Sequence, residues 1–298
     1  MTFPAGNILA MGEPRTLATT VLLNRGERHM VLTALPPIDN ADRDPLAAAV
    51  LADLIRWAAA RRRAGWNARR RAGQEGSPMK AAVDLARLAQ ASYSAAVSDI
   101  CDQGGYRAQT LAPSIRPAAG HVPGTVLAGW ARTALSIGVT TAPPRPYRAE
   151  IDFIDSLQPG DVVVADCSQC PAAFWGELFS TAARARGARG AVIGGLIRDS
   201  DRIAALSFPV FATGCRPTDS LGRVSIRSVD EPVEIGGVIV RSGDLVVADA
   251  DGVVIVPAAI ATEVAEAAMA KAEVETDARR LLQDGALLAD VWERYKVL

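Results

Sequence analysis

From residue 79 onward, apolar positions switch repeatedly between a period near two and a period near 3.6, and this alternation predicts the elements. A helical pattern over about 80–103 is followed by short strands near 125–135. A Gly160-Asp161 turn then precedes the strand Val162-Val-Val-Ala165. Helix 172–186 is expected to stop at Gly187, and strand Gly190-Ala-Val-Ile-Gly194 follows it. Pro209-Val-Phe-Ala212 reads as another strand. Val233-Glu-Ile-Gly236-Gly237-Val-Ile-Val240 and Asp244-Leu-Val-Val-Ala248 make a β-rich stretch, turned at Asp249-Ala-Asp-Gly252 into Val253-Val-Ile-Val256. A long helix over about 258–284 and a short one reaching Tyr295 close the chain. Strands precede, alternate with and follow helices, which predicts a layered α/β fold and not a simple doubly wound sheet.

The first 78 residues read differently. Val21-Leu22-Leu23 and Met30-Val31-Leu32 suggest two short strands, and Pro45 to Trp57 suggests an amphipathic helix. Arg61-Arg62-Arg63 and Arg69-Arg70-Arg71 lead into Gly73-Gln-Glu-Gly76-Ser-Pro78, a linker-like stretch. We therefore expect an N-terminal extension, 1–78, of unassigned role and a main domain, 79–298. Residues 1–80 hold 12 Lys/Arg against 7 Asp/Glu, while the net charge of the chain is −1. Only three of the basic residues are Lys and no aromatic ladder interleaves the arginines, so a solvated helix end is expected rather than a nucleic-acid surface. No apolar run spans a bilayer and the N-terminus lacks a basic start followed by an apolar stretch, so a cytoplasmic location is the default expectation. Four cysteines are too few for a disulfide scaffold. Cys167-Ser-Gln-Cys170 has redox or zinc spacing but no second pair, and His29 and His121 are the only histidines, so a structural or incidental role is expected for it.

Candidate chemistry centres on Arg198-Asp199. With 29 Arg and 21 Asp, about two such dipeptides arise by chance, and two exist, the other being Arg43-Asp44. Context separates them. Arg198-Asp199 follows a buried strand and the Gly194-Gly195 pair, where α/β proteins commonly place ligand groups. In extended backbone the neighbours point apart, so Asp199 could take a divalent cation while Arg198 meets an anionic substrate group. The bland reading is an exposed ion pair in a loop. Trp175-Gly176-Glu177-Leu178-Phe179 adds a predicted helix start whose free amides suit a carboxylate, with Gly176 permitting close approach. Glu177 could poise a water, or simply complement the helix dipole.

Together these blocks resemble the RraA-like family, which includes 4-hydroxy-4-methyl-2-oxoglutarate/4-carboxy-4-hydroxy-2-oxoadipate aldolases. The likeness runs through Trp175-Gly-Glu-Leu178, Ala188-Arg-Gly-Ala-Val-Ile-Gly-Gly-Leu-Ile-Arg-Asp199, Phe208-Pro-Val-Phe211 and Gly243 to Pro257, over about 85–298. It implies a swivelling β/β/α core and a homotrimer or hexamer with its site at the subunit interface. It further implies Mg²⁺ or Mn²⁺ on Asp199, Arg198 on the substrate, and the amides of Gly176 to Phe179 on a carboxylate. Glu177 falls where the family holds a metal water, and Glu273 or Glu275 could supply a neighbouring subunit's carboxylate. The implied reaction is cleavage of a 4-hydroxy-2-oxo acid to pyruvate, with oxaloacetate decarboxylation as a related activity. The alternative is a non-catalytic regulator of ribonuclease E. No strand leads into a Gly-rich loop suited to a methyl donor, and the three lysines, Lys80, Lys271 and Lys296, lie in no recognisable site, which argues against imine catalysis.

Overall fold

The central strands of the main domain are apolar at nearly every position because both of their faces are covered. In β6 (Asp161–Asp166), Val163 and Ala165 turn outward to a helical layer while Val162 and Val164 turn inward. β7 (Gly190–Ile197) repeats this with Ala191 and Ile193 outward and Val192 inward. The computed structural model describes residues 83–142 and 144–297 in full and the backbone of three N-terminal strands. The chain divides into two compact units, Met1–Gly76 and Ser77–Leu298.

In the first unit, β1 (Asn7–Ala10), β2 (Val21–Arg25) and β3 (Arg28–Leu32) form an antiparallel sheet in that order, with Val21 opposite Leu32. The expected helix over 45–57, the arginine clusters and the linker over 73–78 lie outside the described residues.

The second unit is built on an eight-stranded mixed sheet. β5 (Leu127–Gly138) is its long central member, parallel to β6 along one edge. Its other edge pairs first with β12 (Leu245–Asp249) and then with β9 (Val224–Val229). β6, β7 and β8 (Val210–Cys215) run parallel, and β4 (Arg116–Ala119) adds antiparallel to β8. β13 (Gly252–Val256) pairs with β12 at the opposite end. Residues just before β4 return to β13, where the Leu111 amide donates to the Val253 carbonyl at 2.9 Å, so the sheet is nearly closed into a barrel. The hairpin of β10 (Val233–Ile235) and β11 (Val238–Val240) packs Val233, Ile235, Val238 and Val240 into the interior cluster.

Two helical layers cover the outside. α1 (Leu85–Ala91), α2 (Ser94–Gln103) and α6 (Ala261–Gln283) cover β12 and β13 through Leu88, Val97, Ala265 and Ala268. α3 (Arg148–Asp155), α4 (Glu177–Ala185) and α5 (Ser200–Leu206) cover the parallel strands, and α7 (Leu288–Tyr295) ends the chain.

Several elements differ from expectation. The helix expected over 80–103 is two, because Asp249 accepts the Ser94 amide at 2.7 Å and the Ser94 hydroxyl at 2.6 Å, starting a new helix after the extended Ser92-Tyr93. The helix expected from 172 begins only at Glu177, because Phe174 and Trp175 are drawn along the end of β7. Helices α3 and α5 and strands β4 and β9 were not anticipated by the periodicity.

Candidate functional site

The site forms where β7 leaves the sheet. The Phe174 amide donates to the Leu196 carbonyl at 2.9 Å and the Arg198 amide to the Trp175 carbonyl at 2.9 Å, a short parallel bridge that sets the start of α4 beside Arg198-Asp199. On the other side the Arg216 amide donates to the Ile197 carbonyl at 2.8 Å. The Gly194-Gly195 pair is explained by packing. A Cβ on Gly194 would stand 2.8 Å from Ile235 Cγ1, and one on Gly195 would stand 2.7 Å from Cys167 Cβ, so larger residues would push β7 off its neighbours. The β7–β8 register shifts between Ile193 and Leu196, a bulge that re-aims the following residues.

Contrary to the extended backbone expected, Asp199 is left-handed, with φ 59° and ψ 33°. Its carboxylate therefore folds back toward Arg198 instead of pointing away from it. Asp199 Oδ2 lies 3.7 Å from Arg198 Nε and accepts the Glu177 amide at 3.3 Å. Both side chains are 38% exposed. Gly176 makes this approach possible, because a Cβ there would stand 2.9 Å from Asp199 Oδ2 and 3.3 Å from Arg198 Cγ.

Gly176 has no side chain with which to cap α4 and Asp199 takes only the Glu177 amide, so the first-turn amides of Leu178 and Phe179 are open to an anion. The Phe179 ring itself is committed to structure, edge-on to Trp175 at 5.7 Å and to Phe174 at 6.4 Å. Trp175 is fixed in turn by stacking on Phe208 and by donating Nε1–H to the buried Ser180 hydroxyl at 2.8 Å. Leu178 is 75% exposed. The Glu177 carboxylate accepts from Thr181 at 2.7 Å on its own helix, while its backbone amide is what reaches Asp199.

Two groups at the site were missed by the sequence reading. Arg198 Nη1 pairs with Asp219 Oδ1 at 2.9 Å, and Tyr147 donates its hydroxyl to Asp219 Oδ2 at 2.7 Å. Burial pulls Asp219 upward, but the Tyr147 hydrogen bond, the Arg198 charge and the amides of Ser220 and Leu221 outweigh it and hold the carboxyl below its ordinary range. Burial first, and then the Asp219 carboxylate, push the Tyr147 phenol up. Tyr147, like Asp199, is left-handed at φ 58°, an unfavoured conformation for an aromatic residue that costs about 1–3 kcal/mol. Glu275 is tied to Lys271, which also meets Asp99 at 3.3 Å. Glu273 is exposed and lines a groove of about 690 Å³ between α1 and α6.

Among the described residues no three His, Cys, Asp or Glu side chains converge on a point, so there is no zinc-type cage. The partly exposed Asp199 carboxylate suits a different ion. Magnesium or manganese commonly takes one or two carboxylates and keeps most of its waters, and the described chain makes no other bond to this carboxylate that would compete.

The nearly closed barrel, with an Arg-Asp turn set against the start of α4, defines a mixed α/β protein with a partly exposed, charged site at the end of β7. The comparisons with known proteins place it more closely. Residues 94–255 match the family model described as RraA-like, Aldolase/RraA, and the chain belongs to this family. A Halalkalibacterium halodurans protein named "Putative 4-hydroxy-4-methyl-2-oxoglutarate aldolase" is 35% identical over 130 residues, 43% of this chain and 61% of that protein. An uncharacterized Methanocaldococcus jannaschii protein is 38% identical over 120 residues, 40% of this chain and 57% of its own length. The chain thus spans about three fifths of the length of these relatives. Among solved structures, an uncharacterized Pseudomonas syringae protein aligns at TM-score 0.60 and 27% identity, covering 70% of this chain and 95% of that one. RraAS2 of Streptomyces coelicolor, described as an unusual member of the RNase ES inhibitor RraA protein family, aligns at 0.58 and 29%, covering 68% and 99%. Among the described residues no helix is long and apolar enough to cross a membrane.

Proposed function

We propose that this chain is a divalent-cation-dependent carbon–carbon lyase that splits a 4-hydroxy-2-oxo acid into pyruvate and a second oxo compound, and that it also decarboxylates oxaloacetate. The observation that carries the reading is the convergence of Asp199, Arg198 and the first turn of α4, whose Leu178 and Phe179 amides are open, on one spot. Asp199 would hold Mg²⁺ or Mn²⁺, and the bound cation would supply Lewis-acid polarisation of the 2-oxo group.

The chain's own groups supply the rest. The open amides of Leu178 and Phe179 take the substrate carboxylate, and Gly176 leaves room for it. Cleavage breaks the C3–C4 bond, the bonding pair moves into the enolate of pyruvate, and the proton leaves the 4-hydroxyl as that carbon becomes a carbonyl. Arg198, steadied by Asp219, faces the growing negative charge. Glu177 is the group assigned to move the hydroxyl proton, through a water, after exchanging its Thr181 contact. Imine chemistry lacks a suitable amine among the described residues, since Lys271 is paired with Glu275 and Lys296 with Glu293. In a homotrimer or hexamer, a neighbouring subunit would complete the site. Glu273, which is free, fits that role better than Glu275, which Lys271 holds.

The likeness to RraAS2 supports a second reading, a non-catalytic regulator that binds a ribonuclease. Pyruvate release from oxaloacetate and from 4-hydroxy-2-oxo acids, with Mg²⁺ and with chelator, separates the two. The lyase reading expects activity that is lost with chelator and in Asp199→Ala. Activity surviving either treatment would sink the mechanism, and no turnover of any 2-oxo acid would favour the regulator.

A further inference from the structure

The lyase chemistry makes no use of Cys167-Ser168-Gln169-Cys170, yet the fold gives this segment a specific shape. It starts where β6 ends. The Cys167 amide still donates to the Gly194 carbonyl of β7 at 3.3 Å, and the Cys170 amide folds back to the Cys167 carbonyl at 3.0 Å. Asp166 steadies the turn by accepting the Ser168 amide at 2.9 Å. That backbone bond closes a tight turn which holds the two cysteines next to each other, close enough for their thiols to influence one another.

Their surroundings differ in the way a nucleophile and a resolving thiol differ. Cys167 is 1% exposed and pressed onto Gly195, whereas Cys170 is only partly buried. Burial first, and then contact with Cys170, push the Cys167 thiol well above its ordinary range. The hydrogen bond from Cys167 lowers Cys170 in spite of its partial burial and the nearby Asp166 carboxylate. Reactivity follows the thiolate and its access, so the outer sulfur attacks and the inner one resolves. Ser168 and Gln169, between them, are exposed and line a cleft of about 470 Å³, and a small oxidant reaches Cys170 through that residue's own partial exposure beside them. Cys101, buried and raised to about 11, and Cys215, exposed, have no such spacing to a second cysteine.

We propose that Cys167 and Cys170 are a peroxide-sensitive dithiol whose intrachain disulfide grips the loop carrying Gly176. The Cys170 thiolate attacks one oxygen of hydrogen peroxide, the O–O bond breaks, and a sulfenic acid and hydroxide form. The Cys167 sulfur then attacks the Cys170 sulfur, the S–O bond breaks, and the S–S bond forms. Two thiols and one peroxide become one disulfide and two waters. Only five residues, Pro171 to Trp175, separate Cys170 from Gly176, and Trp175 is bonded directly to Arg198. Closing the disulfide therefore reaches the anion cradle through a short, packed segment.

The test uses the full reduced chain treated with stoichiometric hydrogen peroxide, then alkylated under denaturing conditions and mapped by mass spectrometry. A Cys167–Cys170 crosslink formed ahead of any oxidation of Cys101 is expected, reversible by dithiothreitol. In Cys167→Ser, Cys170 should stop at a sulfenic acid that dimedone traps; in Cys170→Ser, Cys167 should stay reduced. Recovery of both cysteines as free thiols after treatment of the folded wild type would overturn the proposal. Amide exchange reads the coupling: residues 172–179 should change at least threefold in exchange rate on oxidation. A crosslink with unaltered exchange there would overturn the grip on the loop. Neither readout requires turnover, so failure of the lyase reading would leave the result interpretable.

Discussion

Gly176→Ala is the sharpest perturbation the geometry offers. The residue sits at φ −156° and ψ −172°, extended backbone that alanine adopts freely, so the substitution carries no conformational strain. Removing a glycine at a compatible position even stabilises by about 0.4–1 kcal/mol through the unfolded state. The cost falls on the site. The new methyl would lie 2.9 Å from Asp199 Oδ2, about 0.6 Å inside an ordinary contact of roughly 3.5 Å, and the carboxylate must retreat by about that amount. The Glu177 amide contact, already 3.3 Å, then stretches past hydrogen-bonding range. A misplacement of about 1 Å at reacting groups can cost about 100-fold in rate, so half of it should lower kcat/KM by about tenfold, or ~1.4 kcal/mol of transition-state binding. Pyruvate release from oxaloacetate measures the rate, and thermal unfolding should show Tm within about 4 °C of wild type. An active Gly176→Ala with unchanged kcat/KM would refute the idea that this glycine lets Asp199 reach the helix start.

Three further outcomes follow from the same contacts. Ser180→Ala leaves the Trp175 indole N–H buried without its 2.8 Å acceptor, and should destabilise by about 1–3 kcal/mol in urea unfolding; an unchanged midpoint would mean that the ring finds another acceptor. The Asp219 carboxyl is held below its unfolded value of about 3.9, so it contributes stability above that pH and loses it as pH falls through the folded value. The stability difference between wild type and Asp219→Asn should accordingly be present at neutral pH and shrink in acid, and a difference that grew in acid would contradict the assignment. Iodoacetamide at pH 7.5 should label exposed Cys215 well before Cys101, whose thiol burial pushes up to about 11, and mass spectrometry of the labelled peptides reads the order.

The central strands of the main domain were legible because they are apolar on both faces, whereas β4 and β9, which carry polar or exposed positions, were not. Val162 to Ala165 and Val253 to Val256 have no polar position to hide, and sequence period alone places them between two layers. Helix limits were less legible where a distant side chain decides them. Nothing local to Ser92-Tyr93 breaks the helical period; the break comes from Asp249, which holds Ser94 from 155 residues away. Likewise the late start of α4 reflects the pull of β7 on Phe174 and Trp175. Both are tertiary overrides of a local preference.

Within the site, the residues that sequence could name are those that a strand delivers. Arg198 and Asp199 follow β7, and Gly176 to Phe179 start a helix, so position and chemistry coincide. Tyr147 follows the proline-rich Pro143-Pro144-Arg145-Pro146 and Asp219 sits in an irregular segment after Pro217, where no period marks one carboxylate or phenol over another. Yet they determine what Arg198 can do. An arginine with Asp199 at 3.7 Å as its sole partner could swing toward solvent; with Asp219 at 2.9 Å, itself held by Tyr147, the guanidinium is fixed and keeps donors to spare for an anion. The same reasoning separates Arg198-Asp199 from Arg43-Asp44, a dipeptide of identical chemistry that lies outside the described residues. What gives the first pair its meaning is the left-handed turn at Asp199, which folds the carboxylate toward the amide of Glu177, and the missing side chain at Gly176, which leaves space for it.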